Sequence, residues 1–255
     1  MFVKYLERLR SDGRRHFTFK EIVQELNLSE VTAKSGIYRL KKAGKIISPL
    51  KGLYVIVPPE YTAYGSIPAE ELVPIIMKQL GAKYYVSLLS AAAFHGATHQ
   101  KIFKFQIITE QRITHPLKFG QIKIDIIHKK SLSNLPTQDF IVSTGYLKVA
   151  TPELTALDLF KYSNRAGGIS HIATVLSELV ENIGELYQIQ RIGFVTEKID
   201  VMDEEKKTNL VATIAEYLQE NKRPYISLVP SMPIIGAARC KKWKIIENTD
   251  FESDL

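Results

Sequence analysis

The chain has 255 residues, a formal net charge of +7 and one cysteine. An apolar share of 45% beside 24% charged residues fits a folded globular protein and excludes a low-complexity or collagen-like chain. Cys240 alone excludes an intramolecular disulfide and suits a reducing compartment. No run approaches the ~20 apolar residues that span a bilayer, so a cytoplasmic protein is expected.

The charge is concentrated. Up to Val57 there are 12 Lys/Arg against 5 Asp/Glu, whereas the remainder holds 22 of each. The whole surplus therefore sits in the first quarter, which points to a polyanionic partner for that quarter.

MFVKYLERLRSDGRR reads as a charged amphipathic helix with Val3, Leu6 and Leu9 on its inner face, without the apolar core of a signal peptide. Thr18 with Glu21 predicts a capping box, opening a second helix that buries Ile22, Val23 and Leu26. Asn27-Leu28-Ser29 predicts a turn, with Leu28 plugging the angle and Ser29 capping a third helix. In that helix Ala33, Ile37 and Leu40 face the core. Gly36 lies on the flank, which suggests close packing against the second helix because a helix-interior glycine otherwise costs about 1 kcal/mol.

The opposite face carries Thr32, Ser35, Tyr38, Arg39 and Lys42, with Lys34 at its edge. Hydrogen-bonding and cationic side chains of this kind suit base edges and phosphates. Residues 45–48 and 53–57 read as strands joined by a turn at Pro49–Gly52, with Lys45 and Lys51 near the phosphate backbone. Helix, turn, helix and basic hairpin in that order predict a winged helix-turn-helix over residues 1–58, its recognition helix in the major groove. Pro58-Pro59 marks the expected boundary.

Beyond it, residues 59–255 read as a mixed α/β domain, giving an α+β protein overall. Helices are expected at Pro68–Leu80 and Tyr85–His95, then strands at Phe103–Thr109, Gln121–His128 and Phe140–Val149. Thr151-Pro152-Glu153 predicts a capped helix start. Further helices are expected at Ile169–Asn182, at Ile183–Phe194 or somewhat beyond, and at Glu204–Glu220, with strands at Tyr225–Val229 and Trp243–Ile246 and a frayed acidic tail.

Little points to catalysis. His95 and His99 are four apart, as two metal ligands on one helix face can be, but Gly96 intervenes and no third ligand is near in sequence. His115 and His128 have no evident partner. Gly167-Gly168 lacks the phosphate-loop context of a preceding strand and reads as a turn between helices. Asp125 and Glu110 resemble a nuclease-like acidic pair without the following Glu-x-Lys strand. Glu153 and Asp158 are expected to cap and lace their own helix, and Cys240 to be a passive thiol. No enzyme activity, cofactor or metal is expected.

Several blocks in order resemble the AbiEi family of antitoxin and transcriptional regulators: YYVSLLSAAAFHG (84–96), LKVATPELTALDLF (147–160), RIGFVTEKI (191–199) and PYISLVPS…KKWKIIEN (224–248). Leu154 stands where the family's T-P-E-R block often has arginine. The resemblance implies a type IV toxin–antitoxin system. Its antitoxin represses its own promoter at inverted repeats through the winged helix, and it opposes a nucleotidyltransferase-like toxin without a required stable complex. The alternative is a ligand-sensing winged-helix transcription factor without a toxin partner.

Overall fold

The computed structural model describes residues 1–97, 103–114, 117–133, 135–182, 186–198, 204–219, 223–230 and 232–249. The architecture is α+β, as expected. The chain divides into two compact units. The first is Met1–Val86, Ile102–Asn134 and Asp139–Lys148; the second is Ser87–Lys101, Leu135–Gln138 and Val149–Leu255. Residue 58 falls inside the first unit.

The first unit opens with α1 (Phe2–Ser11), β1 (His16–Thr18), α2 (Phe19–Glu25), α3 (Glu30–Lys42), β2 (Ile46–Leu50) and β3 (Leu53–Ile56). On α1 the inner stripe is Phe2, Tyr5, Leu6 and Leu9, spaced i, i+3, i+4, i+7 on one helix face. Val3 is 43% exposed and lies outside it. These residues meet Phe17, Ile22, Ile37, Leu40, Ile46 and Ile56 in one core. On α2 only Ile22 is buried. Leu26 packs against the core and Leu28 is half-exposed, so Leu26 rather than Leu28 closes the angle.

The capping box forms as the sequence predicts. Glu21 N–H donates to Thr18 Oγ1 at 3.2 Å, and Thr18 N–H donates to Glu21 Oε2 at 2.6 Å. Two of the orphan donors at the start of α2 are thereby satisfied.

β1 is an element that the sequence pattern does not predict. It pairs antiparallel with β3, giving a three-stranded sheet of order β1-β3-β2. Fully buried Phe17 holds it, with its ring edge-on to Tyr5 at 5.4 Å and tilted against Tyr54 at 5.4 Å. β2 also runs further than predicted, through Pro49 and Leu50, so the turn shrinks to Lys51-Gly52. Pro49 falls where the register shifts between Ile47 and Leu50, on an edge strand. That is where a residue without an N–H donor is tolerated. Gly52, at φ +79°, supplies the left-handed backbone of the tight turn.

The unit continues with α4 (Ala69–Leu80) and a six-stranded mixed sheet. Its strands are β4 (Tyr84–Val86), β5 (Phe105–Thr109), β6 (Leu117–Phe119), β7 (Ile122–His128), β8 (Thr137–Val142) and β9 (Gly145–Ala150), in the order β6-β7-β5-β4-β9-β8. β5 and β7 run parallel, with Ile107 opposite Ile126. Two expectations are corrected. Tyr85–His95 is not one helix: Tyr84–Val86 is a strand, and only Leu88–Phe94, here α5, is helical. Phe140–Val149 is two strands with a turn at Ser143-Thr144, pinned by Thr144 Oγ1 donating to Glu71 O at 2.8 Å. β6 is an addition to the expected strands.

The second unit holds α5, α6 (Pro152–Lys161), α7 (Ile169–Asn182), α8 (Leu186–Lys198), α9 (Glu204–Gln219) and a small sheet. That sheet is β10 (Ile226–Ser227), β11 (Ala238–Cys240) and β12 (Ile245–Glu247), in order β10-β12-β11. Thr151 caps α6 as expected, accepting from Leu154 N–H at 3.4 Å. α8 falls on the helix expected there and runs to Lys198, residues 183–185 lying outside the described ones, and β11 is a further addition. Fully buried Trp243 donates to the Glu197 carboxylate. Gln190 reaches from α8 to the Trp243 carbonyl at 3.0 Å.

Candidate functional site

The outer face of α3 and the β2–β3 hairpin carries every nucleic-acid contact expected from the sequence. Thr32, Lys34, Ser35, Tyr38, Arg39, Lys42, Lys45 and Lys51 are all exposed, Tyr38 at 67%. Ala33, Gly36, Ile37 and Leu40 take the buried side of the same helix. A helix with its apolar residues on one side presents the remaining side chains together on the other.

Local bonds shape this surface. The Ser29 side chain accepts from Thr32 N–H at 3.2 Å and lies 2.9 Å from Thr32 Oγ1, which fixes the Thr32 hydroxyl at the start of α3. Arg39 Nε donates to Ser35 O at 3.3 Å, which leans the guanidinium along its own helix. Lys34 pairs with Glu30 at 3.1 Å and lies over the Phe19 ring at 5.8 Å. Its charge is partly spent within the helix. After α3 the chain turns at Gly44, and Lys45 N–H donates to Leu40 O at 3.0 Å, a helix-ending bond of the Schellman type.

The electrostatics divide sharply at Glu30. Arg8 pairs with Glu25 and Arg14 with Glu21, so two cations of α1 and its exit are answered by acids of α2. Burial pushes the Glu21 carboxyl up, but the Thr18 N–H bond and Arg14 outweigh it and hold the group below its ordinary value. From Val31 to Pro59 the sequence contains no Asp or Glu, while Lys34, Arg39, Lys41, Lys42, Lys45 and Lys51 lie within it. Lys41 stands outside the contact set expected from the sequence, and a charge tally over the whole first quarter does not show the acid-free length of this stretch.

The second unit has its own polar interior. Ser87 Oγ donates to Asp158 Oδ2 at 2.6 Å, with both residues buried. The helix-lacing role expected of Asp158 is therefore corrected: it faces inward from α6 towards the start of α5. Glu153 is corrected likewise. It pairs with Arg191 of α8 at 3.1 Å, the side chains 14% and 13% exposed, and Arg191 also donates to Ser227 O at 3.1 Å. Both contacts join residues far apart in the chain, which local spacing does not reveal.

Residues 85–193 match the family model described as the AbiEi antitoxin C-terminal domain. Over that stretch the chain is similar to the AbiEi antitoxin C-terminal domain. The AbiEi stretch runs from β4 into α8 and contains Ser87, Glu153, Asp158 and Arg191. No curated protein sequence matches the chain. The match suggests an antitoxin role, with a toxin as its functional counterpart.

The remaining candidates are placed as follows. In the AbiEi stretch, the His95 Nε2–H donates to Ala150 O at 2.8 Å, which removes that nitrogen from metal ligation; His99 and His115 lie outside the described residues. Asp125 on β7 stands in register with Gln106 on β5, and Glu110 accepts from Leu132 N–H at 2.6 Å. Among the described residues no group of three His, Cys, Asp or Glu side chains is gathered to hold a metal. Cys240 is half-buried. No described helix is long and apolar enough to cross a membrane. A cationic patch missed from the sequence lies past the AbiEi stretch: Arg239 and Lys244 both lie over the Tyr225 ring, at 5.5 and 4.9 Å.

Proposed function

We propose that the protein is a DNA-binding transcriptional autorepressor and an antitoxin that counters a nucleotidyltransferase-like toxin, acting in the cytoplasm without catalysis of its own. Residues 1–58 work as the winged helix-turn-helix. α3 enters the major groove, where Thr32, Ser35, Tyr38 and Arg39 reach base edges. Lys42, Lys45 and Lys51 meet phosphates, and Lys34 joins them once DNA competes with Glu30. The single observation carrying this reading is the cation-bearing surface formed by α3 and the hairpin, acid-free from Val31 onward, in which the eight expected residues are all exposed. The AbiEi match supports the antitoxin half.

Arg39→Ala with Lys42→Ala in the full-length chain is expected to abolish gel retardation of the DNA upstream of its own gene, with an unchanged melting temperature. The same variant is expected still to rescue growth against the co-expressed toxin. Retained retardation sinks the α3 assignment, and failed rescue by the wild-type chain sinks the antitoxin assignment.

A further inference from the structure

A cavity of about 430 Å³ opens in the first unit between β1, α4 and the β8–β9 hairpin. Its walls bring together the polar and aromatic side chains of His16, Lys78, Tyr84, Asp139, Tyr146 and Lys148, none of them on the DNA-binding face proposed above. We propose that this cavity binds a small aromatic anion of the nucleoside monophosphate class.

The size is right for one such molecule, since ligand cavities run from roughly 300 to 1,000 Å³. The chemistry fits part by part. Lys78 is exposed at the last turn of α4 and makes no ion pair among the described residues. A lysine ammonium of this kind is a point-charge phosphate binder. Lys148 and Asp139 pair with each other at 3.0 Å. Together they offer a ribose a donor and an acceptor while cancelling in net charge. The Tyr146 ring is 67% exposed at the rim, an aromatic face on which a base can stack. The Thr144 bond to Glu71 O fixes the turn that carries Tyr146, so the ring is held on a pinned hairpin.

His16 adds a proton-dependent element. Burial is the main cause that lowers it from its ordinary value; Arg14 and Lys78 lower it further and Glu21 opposes them. With Asp139 and Lys148 also lining the cavity, an incoming phosphate tips this balance and favours the imidazolium. Binding then takes up a proton. His16 is also paired with Val55 of β3 at one end of β1, while Thr18 at the other end caps α2. A ligand at His16 thus presses on the strand that joins the hairpin to the helices. This regulatory consequence rests on the DNA-binding reading; the binding itself does not.

The test is calorimetry on the full-length protein with AMP, GMP, CMP and UMP, beside adenosine and inorganic phosphate. At least one monophosphate is expected to bind about tenfold more tightly than either fragment alone. Affinity rises from about pH 8 to about pH 6 with net proton uptake, and His16→Gln removes that dependence. Lys78→Gln and Tyr146→Ala each weaken binding about tenfold, with melting temperatures unchanged. The proposal is overturned if no monophosphate binds, if either variant binds as well as wild type, or if affinity is equal at both pH values. Gel retardation repeated with the bound nucleotide is expected to shift its midpoint, and an unmoved midpoint overturns the regulatory half. Calorimetry contains no DNA, so absence of retardation without nucleotide refutes the DNA-binding reading alone.

Discussion

Ser87 and Asp158 are joined by a 2.6 Å hydrogen bond across 71 residues of sequence, both of them buried within the AbiEi stretch. The bond ties the start of α5 to α6, and Ser87 makes no capping bond to its own helix. A buried acceptor that loses its donor costs about 1–3 kcal/mol, more if charged. Ser87→Ala and Asp158→Ala are each expected to destabilise the protein in urea unfolding. The double variant should cost less than their sum by about 1–3 kcal/mol. Strict additivity would show that the bond carries no energy of its own.

Acidification acts through two half-buried histidines, one in each unit. His16 and His95 both lie below the ordinary value of 6.5, with burial the leading cause in each. For His95 the Ala150 carbonyl and Glu153 push back without prevailing. A base depressed in the folded state is protonated first in the unfolded state. Stability is therefore complete above 6.5 and falls as pH drops from there through the folded values. Urea midpoints should decline across that window, with His95→Gln flattening the transition of the second unit and His16→Gln that of the first. Midpoints that rise on acidification would reverse the assigned sign.

Local chemistry makes much of the N-terminal part legible in the sequence. Thr18 with Glu21, Ser29 before α3 and Thr151 before α6 each signal a cap from neighbours three residues away, and each cap forms. β1 is illegible because three residues with a single buried Phe17 carry no period; only its pairing with β3 makes it a strand. Tyr84–Val86 merges with the helical pattern because small residues follow it directly, and its partner β5 begins nearly twenty residues later. The exposed set on α3 can be read from spacing, since one helix fixes all its positions. Asp158 and Glu153 cannot, because their partners Ser87 and Arg191 come from elsewhere in the chain.

DNA affinity is expected to separate into contacts that read sequence and contacts that hold the backbone. Lys51 sits alone at the tip of the β2–β3 turn, exposed to solvent and distant in sequence from the α3 residues proposed to face bases. Lys51→Ala should weaken retardation of specific and unrelated DNA alike and reduce the slope of log K against log salt by about 0.9. Arg39→Ala, in contrast, should narrow the gap between specific and unrelated DNA by about 1–3 kcal/mol. An unchanged salt slope in Lys51→Ala would remove the hairpin tip from the interface.

Gly36 faces Phe2 of α1, not α2 as spacing alone suggests. A Cβ built on Gly36 would lie 2.1 Å from the far end of the Phe2 ring. Two effects of opposite sign meet at this position. Alanine gains about 1 kcal/mol of helix propensity over glycine, while displacing a packed ring costs about 1–3 kcal/mol. The ring is only half-buried, so it has room to swing, and the cost belongs at the lower end. Gly36→Ala is expected to be mildly destabilising in the wild-type background. In a Phe2→Ala background the clash is gone and only the propensity gain remains, so the same substitution should stabilise by about 1 kcal/mol. A sign that fails to change between the two backgrounds, measured by thermal or urea unfolding, would mean that Phe2 does not pack on α3 in solution.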